Sequence, residues 1–137
     1  MKVVIASGYF NPIHKGHIEY LEMAKELGDY LFVIVNNDIQ AELKRGIPSF
    51  MDEKDRLSIV HALRCVDGSM IASDNDESVV TSIADAYSTL IKEVGATEII
   101  FAKGGDRFVD EIPESSICDK LDIDIVDGLG EKIRNSS

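Results

Sequence analysis

His14 and His17 stand three residues apart in the stretch Gly8-Tyr9-Phe10-Asn11-Pro12-Ile13-His14-Lys15-Gly16-His17, which carries a glycine near each end. Two imidazoles at this spacing can donate hydrogen bonds to phosphate oxygens and stabilise charge that builds on a phosphoryl group during reaction. Gly8 and Gly16 let backbone come close to a ligand, and a helix opening at Gly16 aims N–H groups at an anion. Zinc is the competing chemistry for a histidine pair. It needs a third and a fourth ligand, yet His61 falls within a helical pattern and no cysteine lies near the pair. Two further stretches carry chemistry. Asp38, Lys44 and Arg45 follow an apolar run, and Lys44 offers the compact charge suited to a phosphate group. Lys103-Gly104-Gly105-Asp106-Arg107 follows another, and its glycine pair permits close backbone contact with a ligand, although Gly-Gly-Asp is also ordinary turn chemistry.

The elements that must position these residues are legible from periodicity. An apolar run over residues 2–6 predicts a buried strand that breaks at Ser7-Gly8, and helical spacing over 16–27, stopped by Gly28, predicts the helix after it. The β-branched run 31–35 predicts a second strand, which completes a βαβ unit. Residues 36–48 read as a polar loop with a short helical piece at most. A helix over 52–63, capped by Asp52 and burying Leu57, Ile59, Val60 and Leu63, leads to a weaker strand over 66–72. The pattern over 78–94 predicts the longest helix, closed by Gly95, followed by strands over 98–102 and 123–126. Strands alternating with helices imply a Rossmann-like α/β domain, a doubly wound parallel sheet of about five strands with helices on both faces. In such sheets ligands bind at the carboxyl ends of the strands, where all three chemistry-bearing stretches begin.

Bulk properties narrow the function. The 137 residues suit one domain, spanning 1–137. A formal net charge of -11 argues against nucleic acid and against an anionic membrane surface, because both are held by clustered cations. An anionic ligand must then be held by a few local cations and N–H groups against a repulsive global field. Cys65 and Cys118 fit no CxxC spacing and read as reduced, structural thiols. No stretch approaches the roughly 20 apolar residues of a membrane span, so a cytoplasmic protein is expected.

The sequence GYFNPIHKGH resembles the GxFxPxHxGH signature of the cytidylyltransferase-like nucleotidyltransferase superfamily, which includes heptose-phosphate and pantetheine-phosphate adenylyltransferases and glycerol-phosphate cytidylyltransferases. The resemblance implies in-line attack by a substrate phosphate on the α-phosphorus of a nucleoside triphosphate, releasing pyrophosphate with no covalent enzyme intermediate. Such a reaction asks for positioning and charge neutralisation. His14, His17 and Lys44 are the catalytic residues it implies. Nucleotide contacts would come from Gly8, Tyr9, Phe10, Asn11, Gly16, Lys103, Gly105 and Asp106, with Asn11 standing where many members carry Asp. Asp38, Lys44 and Arg64 would meet the acceptor, while Arg56 is read as either a family arginine or a surface ion-pair partner of small value. Mg2+ would arrive bound through the triphosphate.

The Lys103-Gly104-Gly105-Asp106 loop is closer to that of heptose-phosphate adenylyltransferases, so ATP is favoured, with CTP possible, and the acceptor is a phosphorylated small molecule such as a sugar phosphate. Lys132-Ile133-Arg134-Asn135-Ser136-Ser137 resembles the family's second signature, in which Arg134, Ser136 and Ser137 would hold the outer phosphates. That match is looser, with Arg134 and Asn135 where small or hydroxyl residues are usual. It motivates an alternative of another class, a nucleotide-binding module without catalysis, beside the sister activity of cytidylyl transfer to a polyol phosphate. Many relatives self-associate, so a homodimer is expected.

Overall fold

The computed structural model describes residues 1–104 and 112–129. Its centre is β1 (Lys2–Gly8), whose residues Val3 to Ala6 are fully buried because the sheet is covered on both faces. The period of two along the strand splits them: Val3 and Ile5 join one core cluster, Val4 and Ala6 the other. β2 (Tyr30–Val35) and β4 (Glu98–Gly104) flank β1, β3 (Gly68–Ile71) pairs with β2, and β5 (Asp124–Leu129) pairs with β4. All four pairings are parallel.

Helices α1 (Lys15–Lys25) and α3 (Glu53–His61) cover one face, where Leu21, Ala24 and Val60 meet Val4, Ala6 and Val33. Helices α4 (Val80–Thr89) and α5 (Ser115–Lys120) cover the other, where Ile83, Ala86 and Cys118 meet Val3, Ile5 and Phe101. Burial pushes the Cys118 thiol up to about 12, in keeping with an inert core residue. Strand order β3-β2-β1-β4-β5 means that the chain leaves β1 in one direction through α1 and returns to its other side through α4. A crevice therefore opens between the carboxyl ends of β1 and β4.

Three elements differ from the sequence expectation. Residues 36–48 are not a loop with a helical fragment: α2 (Asp38–Arg45) is a full helix with a reciprocal capping box. The Asn37 side chain accepts from the Gln40 N–H, the Gln40 side chain accepts from the Asn37 N–H, and Gly46 closes the helix at φ 76°. Ile39 and Leu43 point outward from it, so the helix lacked the apolar stripe that periodicity detects. In α3, Ile59 is exposed and Arg56 takes a place in the interior, for reasons given below. The predicted helix over 78–94 begins at Val80, and its last turn, Leu90–Val94, is a π-helix closed by Gly95 at φ 84°. α5 escaped prediction because six residues give too short a window for a period of 3.6.

Candidate functional site

The loop after β1 carries the histidines into the crevice. His14 is the N-cap of α1, and its Nδ1 accepts from the Gly16 N–H at 3.1 Å, while the His17 Nδ1 accepts from the His14 N–H at 3.1 Å. This is a capping box with imidazoles in place of the usual Ser and Glu. Acceptance at both Nδ1 atoms puts the ring protons on Nε2, where neither N–H has a hydrogen-bond partner among the described residues and both can donate away from the helix. The rings stack at 3.9 Å, and His17 also meets the edge of Phe10 at 5.2 Å. Burial, with the neighbouring His14 charge second, lowers the His17 pKa to about 4, so near neutral pH it is an uncharged donor.

The glycines act differently from expectation. A Cβ on Gly8 would lie 2.8 Å from the Phe10 ring, so Gly8 is bare to admit a buried aromatic as well as a ligand. Phe10 itself is held at φ 52°, an uncommon left-handed conformation for a bulky residue, which turns its ring into the core below the histidines. A Cβ on Gly16 would come within 3.0 Å of the His14 ring. The Gly16 N–H was expected to face an anion directly; it is taken up by His14, and the helix presents its positive end through the imidazoles instead.

Lys44, near the end of α2, hangs over the Tyr9 ring with its Nζ 4.5 Å from the centroid. Arg45 reaches the Asn11 carbonyl at 3.5 Å, and the Asn11 Oδ1 accepts from the Met51 N–H, which ties the histidine loop to the α2–α3 connection. Tyr9, His14, His17 and Lys44 border two adjoining depressions. The larger, about 790 Å³, runs over Ser7, Gly8, Gly16 and Lys103 toward Asp76, Glu77 and Glu114. The smaller, about 310 Å³, includes Phe10, Asn11 and Arg45. Tyr20 sits at the floor of the larger one, where its hydroxyl donates to the Ala102 carbonyl at 2.6 Å and bridges α1 to β4 at the crevice.

Arg56 corrects the surface reading of that residue. It is 1% exposed, and its guanidinium donates to the carbonyls of Met51, Tyr9 and Asn36 at 2.9, 2.8 and 2.6 Å and to the Asp38 carboxylate at 2.8 Å. It thereby binds together the ends of β1 and β2, the start of α2 and the following loop. Asp38, expected at the acceptor, is engaged by Arg56 and by the Ser49 hydroxyl; desolvation raises its pKa, but the hydrogen bonds with Arg56, Glu53 and Ser49 and the Arg56 charge together outweigh it and hold the carboxyl below its ordinary value. Arg64 lies in the connection between α3 and β3 and borders neither depression. Helix α3 starts beside the histidine loop and climbs about 1.5 Å per residue away from it, so Arg64 emerges at the opposite end of the sheet and does not join the other candidates. Gly105, Asp106, Arg134, Ser136 and Ser137 lie outside the described residues.

Sequence reasoning missed the wall formed by Asp76, Glu77, Ser78 and Glu114. The buried amides of Asn37 and Gln40 place it: Asn37 donates to the Asp74 carbonyl, and Gln40 to those of Asp76 and Ser78, both at 2.7 Å. The signal was the spacing Asn37-x-x-Gln40, a capping-box pattern. Carboxylates then satisfy the start of α4: Glu114 takes the Val79 N–H at 2.8 Å, and Asp74 takes those of Thr81 and Ser82. With its positive end already met by acids, α4 cannot serve an anionic ligand, which leaves the α1 end to do so. Among the described residues no group of three His, Cys, Asp or Glu could share a metal ion, and no helix is long and apolar enough to cross a membrane.

Comparison with known proteins agrees with this geometry. The cytidylyltransferase-like family model matches residues 5–126. The FAD synthase of Pyrococcus horikoshii is 40% identical over 76 residues, covering 56% of this chain and 51% of that protein, and the FAD synthase of Methanocella paludicola is 43% identical over 76 residues, covering 56% and 53%. The chain thus spans about half the length of the curated relatives it matches. A lipopolysaccharide core biosynthesis protein from Thermoplasma volcanium has a structure similar to this one with a TM-score of 0.65 and 30% identity, covering 93% of this chain and 95% of that one. TmcAL of Thermotoga maritima, solved with alpha-thio ATP, is similar with a TM-score of 0.53 and 26% identity over 76% of this chain and 25% of that one. Signature, sheet order and whole-length similarity converge, and the chain belongs to the cytidylyltransferase-like family.

Proposed function

We propose that the domain is a nucleotidyltransferase that moves AMP from ATP to the phosphate of a small phosphate monoester and releases pyrophosphate. The observation that carries this reading is the pair of capped, stacked histidines whose Nε2–H groups share a border with Lys44 at the crevice between β1 and β4. The chemistry runs as one in-line displacement. An oxygen of the acceptor phosphate forms a bond to the α-phosphorus as the bond from that phosphorus to the bridging oxygen of pyrophosphate breaks. His14 and His17 donate to the non-bridging α-oxygens as charge shifts onto them, and Lys44 offsets the repulsion between the two phosphates. A neutral His17 serves this better than a cation, since it stabilises by hydrogen bonding without giving up its cap. Gly105, Asp106, Arg134, Ser136 and Ser137 would complete the nucleotide site.

ATP as donor is supported by the FAD synthase relatives and by the ATP analogue on the TmcAL structure. An FAD synthase acts on flavin mononucleotide, a phosphate monoester, while the Thermoplasma volcanium protein is named only for lipopolysaccharide core biosynthesis. Mg2+ would be carried on the triphosphate oxygens, because the imidazoles and Lys44 present protons and not lone pairs to the cleft. It would neutralise charge on the phosphates.

The test is thermal stability with Mg2+ and excess ATP, CTP, GTP or UTP, on the wild type and on His14→Ala. A ligand at 100 times its Kd adds about 2.7 kcal/mol, readily seen as a raised Tm. Stabilisation by ATP that the substitution abolishes, with pyrophosphate released when FMN or a sugar phosphate is added, is the expected result. Binding without turnover on any phosphate monoester would favour the module that has lost catalysis.

A further inference from the structure

Among the described residues two buried polar atoms have no hydrogen-bond partner, and both belong to residues that line the larger depression. The Tyr9 hydroxyl and Oε1 of Glu114 are both buried without a hydrogen bond, although Glu114 as a whole is 2% exposed and its other oxygen is held by the Val79 N–H. Both residues border the same depression, and the Glu114 and Glu77 charges both act on Tyr9. Buried orphans of this kind are rare in folded proteins, because each forfeits its hydration with nothing in return. Elsewhere this fold satisfies its interior polar groups closely: the Arg56 fork and the Asn37 and Gln40 amides all find acceptors. An orphaned hydroxyl and an orphaned carboxylate oxygen, buried on two residues that line one cavity, are therefore the pattern of groups kept for a ligand.

The charge layout says which part of the ligand. Phosphates belong at the border formed by His14, His17 and Lys44. A polyphosphate could not extend past Tyr9 toward Asp76, Glu77 and Glu114, where carboxylates would meet it. What reaches that wall is uncharged or cationic and donates hydrogen bonds, attached to a phosphate that stays at Lys44.

We propose that Tyr9 Oη and Glu114 Oε1 are the specificity contacts for the acceptor, receiving the hydroxyl groups of a polyhydroxylated phosphate monoester. The inference rests on the nucleotidyltransferase reading. Sugar phosphates and the ribityl chain of a flavin phosphate share the required chemistry. The Tyr9 backbone still borders the nucleotide while its hydroxyl turns to the acceptor.

A matched pair of probes tests it: glycerol 3-phosphate and n-propyl phosphate have the same length and phosphate and differ in two hydroxyls. Their affinities are measured by calorimetry on the full chain holding Mg2+ and α,β-methylene ATP, which cannot transfer AMP. Two hydroxyl contacts should make glycerol 3-phosphate bind about tenfold more tightly. Tyr9→Phe keeps the ring beneath Lys44, and Glu114→Gln keeps an acceptor for the Val79 N–H, so neither should unfold the protein. Each should bring the ratio toward one. Equal affinities in the wild type, a ratio unmoved by both substitutions, or no binding of either monoester beside a bound nucleotide would overturn the inference. Failure of the wild type to bind the ATP analogue would instead remove the nucleotidyltransferase reading beneath it.

Discussion

Protonating His17 should loosen the whole histidine loop, and the size of the effect follows from its surroundings. Burial is the larger cause and the His14 charge the smaller one holding the ring at about 4 against an ordinary 6.5. Above pH 6.5 folded and unfolded chains both carry a neutral ring, and the stability is fully present. As pH falls from 6.5 toward 4 the unfolded chain takes up a proton that the folded ring refuses, so stability is lost through that window and the loss levels off below it. At 1.36 kcal/mol per pH unit the interval sets an upper bound of about 3.4 kcal/mol. The ring is only half-buried, and solvent screening reduces this to about 1–2 kcal/mol, or a Tm difference of about 3–8 °C. The comparison is His17→Gln, because Gln at this position can accept the His14 N–H and keep the cap without titrating. The wild type should lose about 1–2 kcal/mol more than the variant between pH 7 and pH 4.5 in urea melts. Its Cε1–H resonance should titrate near 4 by NMR, and His14→Gln should raise that midpoint only part of the way. A His17 midpoint at or above 6.5 would refute the neutral-donor argument outright.

Other expectations follow from single contacts. Arg56→Met leaves three carbonyls, one buried and two part-buried, and Asp38 without their common donor and should cost about 3–5 kcal/mol, lowering the Tm by about 10 °C or more; a fall of under about 3 °C in a calorimetric scan contradicts its role. Gly8→Ala drives a methyl into the buried Phe10 ring and should cost about 1–3 kcal/mol, read in the same way. Gly16→Ala meets the exposed, movable His14 ring, so the Tm should change little while the stabilisation by Mg-ATP disappears; retained stabilisation would show that the Gly16–His14 contact does not matter to binding. Lys44→Ala should raise the KM for the phosphate acceptor at least tenfold while melting like the wild type, because the lysine is exposed and lies over the Tyr9 face; an unchanged KM would move the acceptor phosphate elsewhere.

The sequence by itself determined the strands, the first helix and the loop that carries His14 and His17. Each of these rests on short-range pattern: a β-branched run must be buried, helical spacing must make a stripe, and a histidine-glycine signature sits in one continuous decapeptide. Lys44 was legible for a related reason, since a cation beyond a strand end stands out in a chain of net charge -11. Only the tertiary structure decided the rest. Arg56 reads as a surface charge until three carbonyls from different segments surround it, and Arg64 reads as a ligand until the length of α3 carries it to the far end of the sheet. Glu114 and Tyr9 are 105 residues apart in sequence and share a cavity because β1 and β4 are neighbours in the sheet. Local pattern reports which face of an element is buried, whereas a polar residue's partners depend on which strand ends the topology gathers at one crevice.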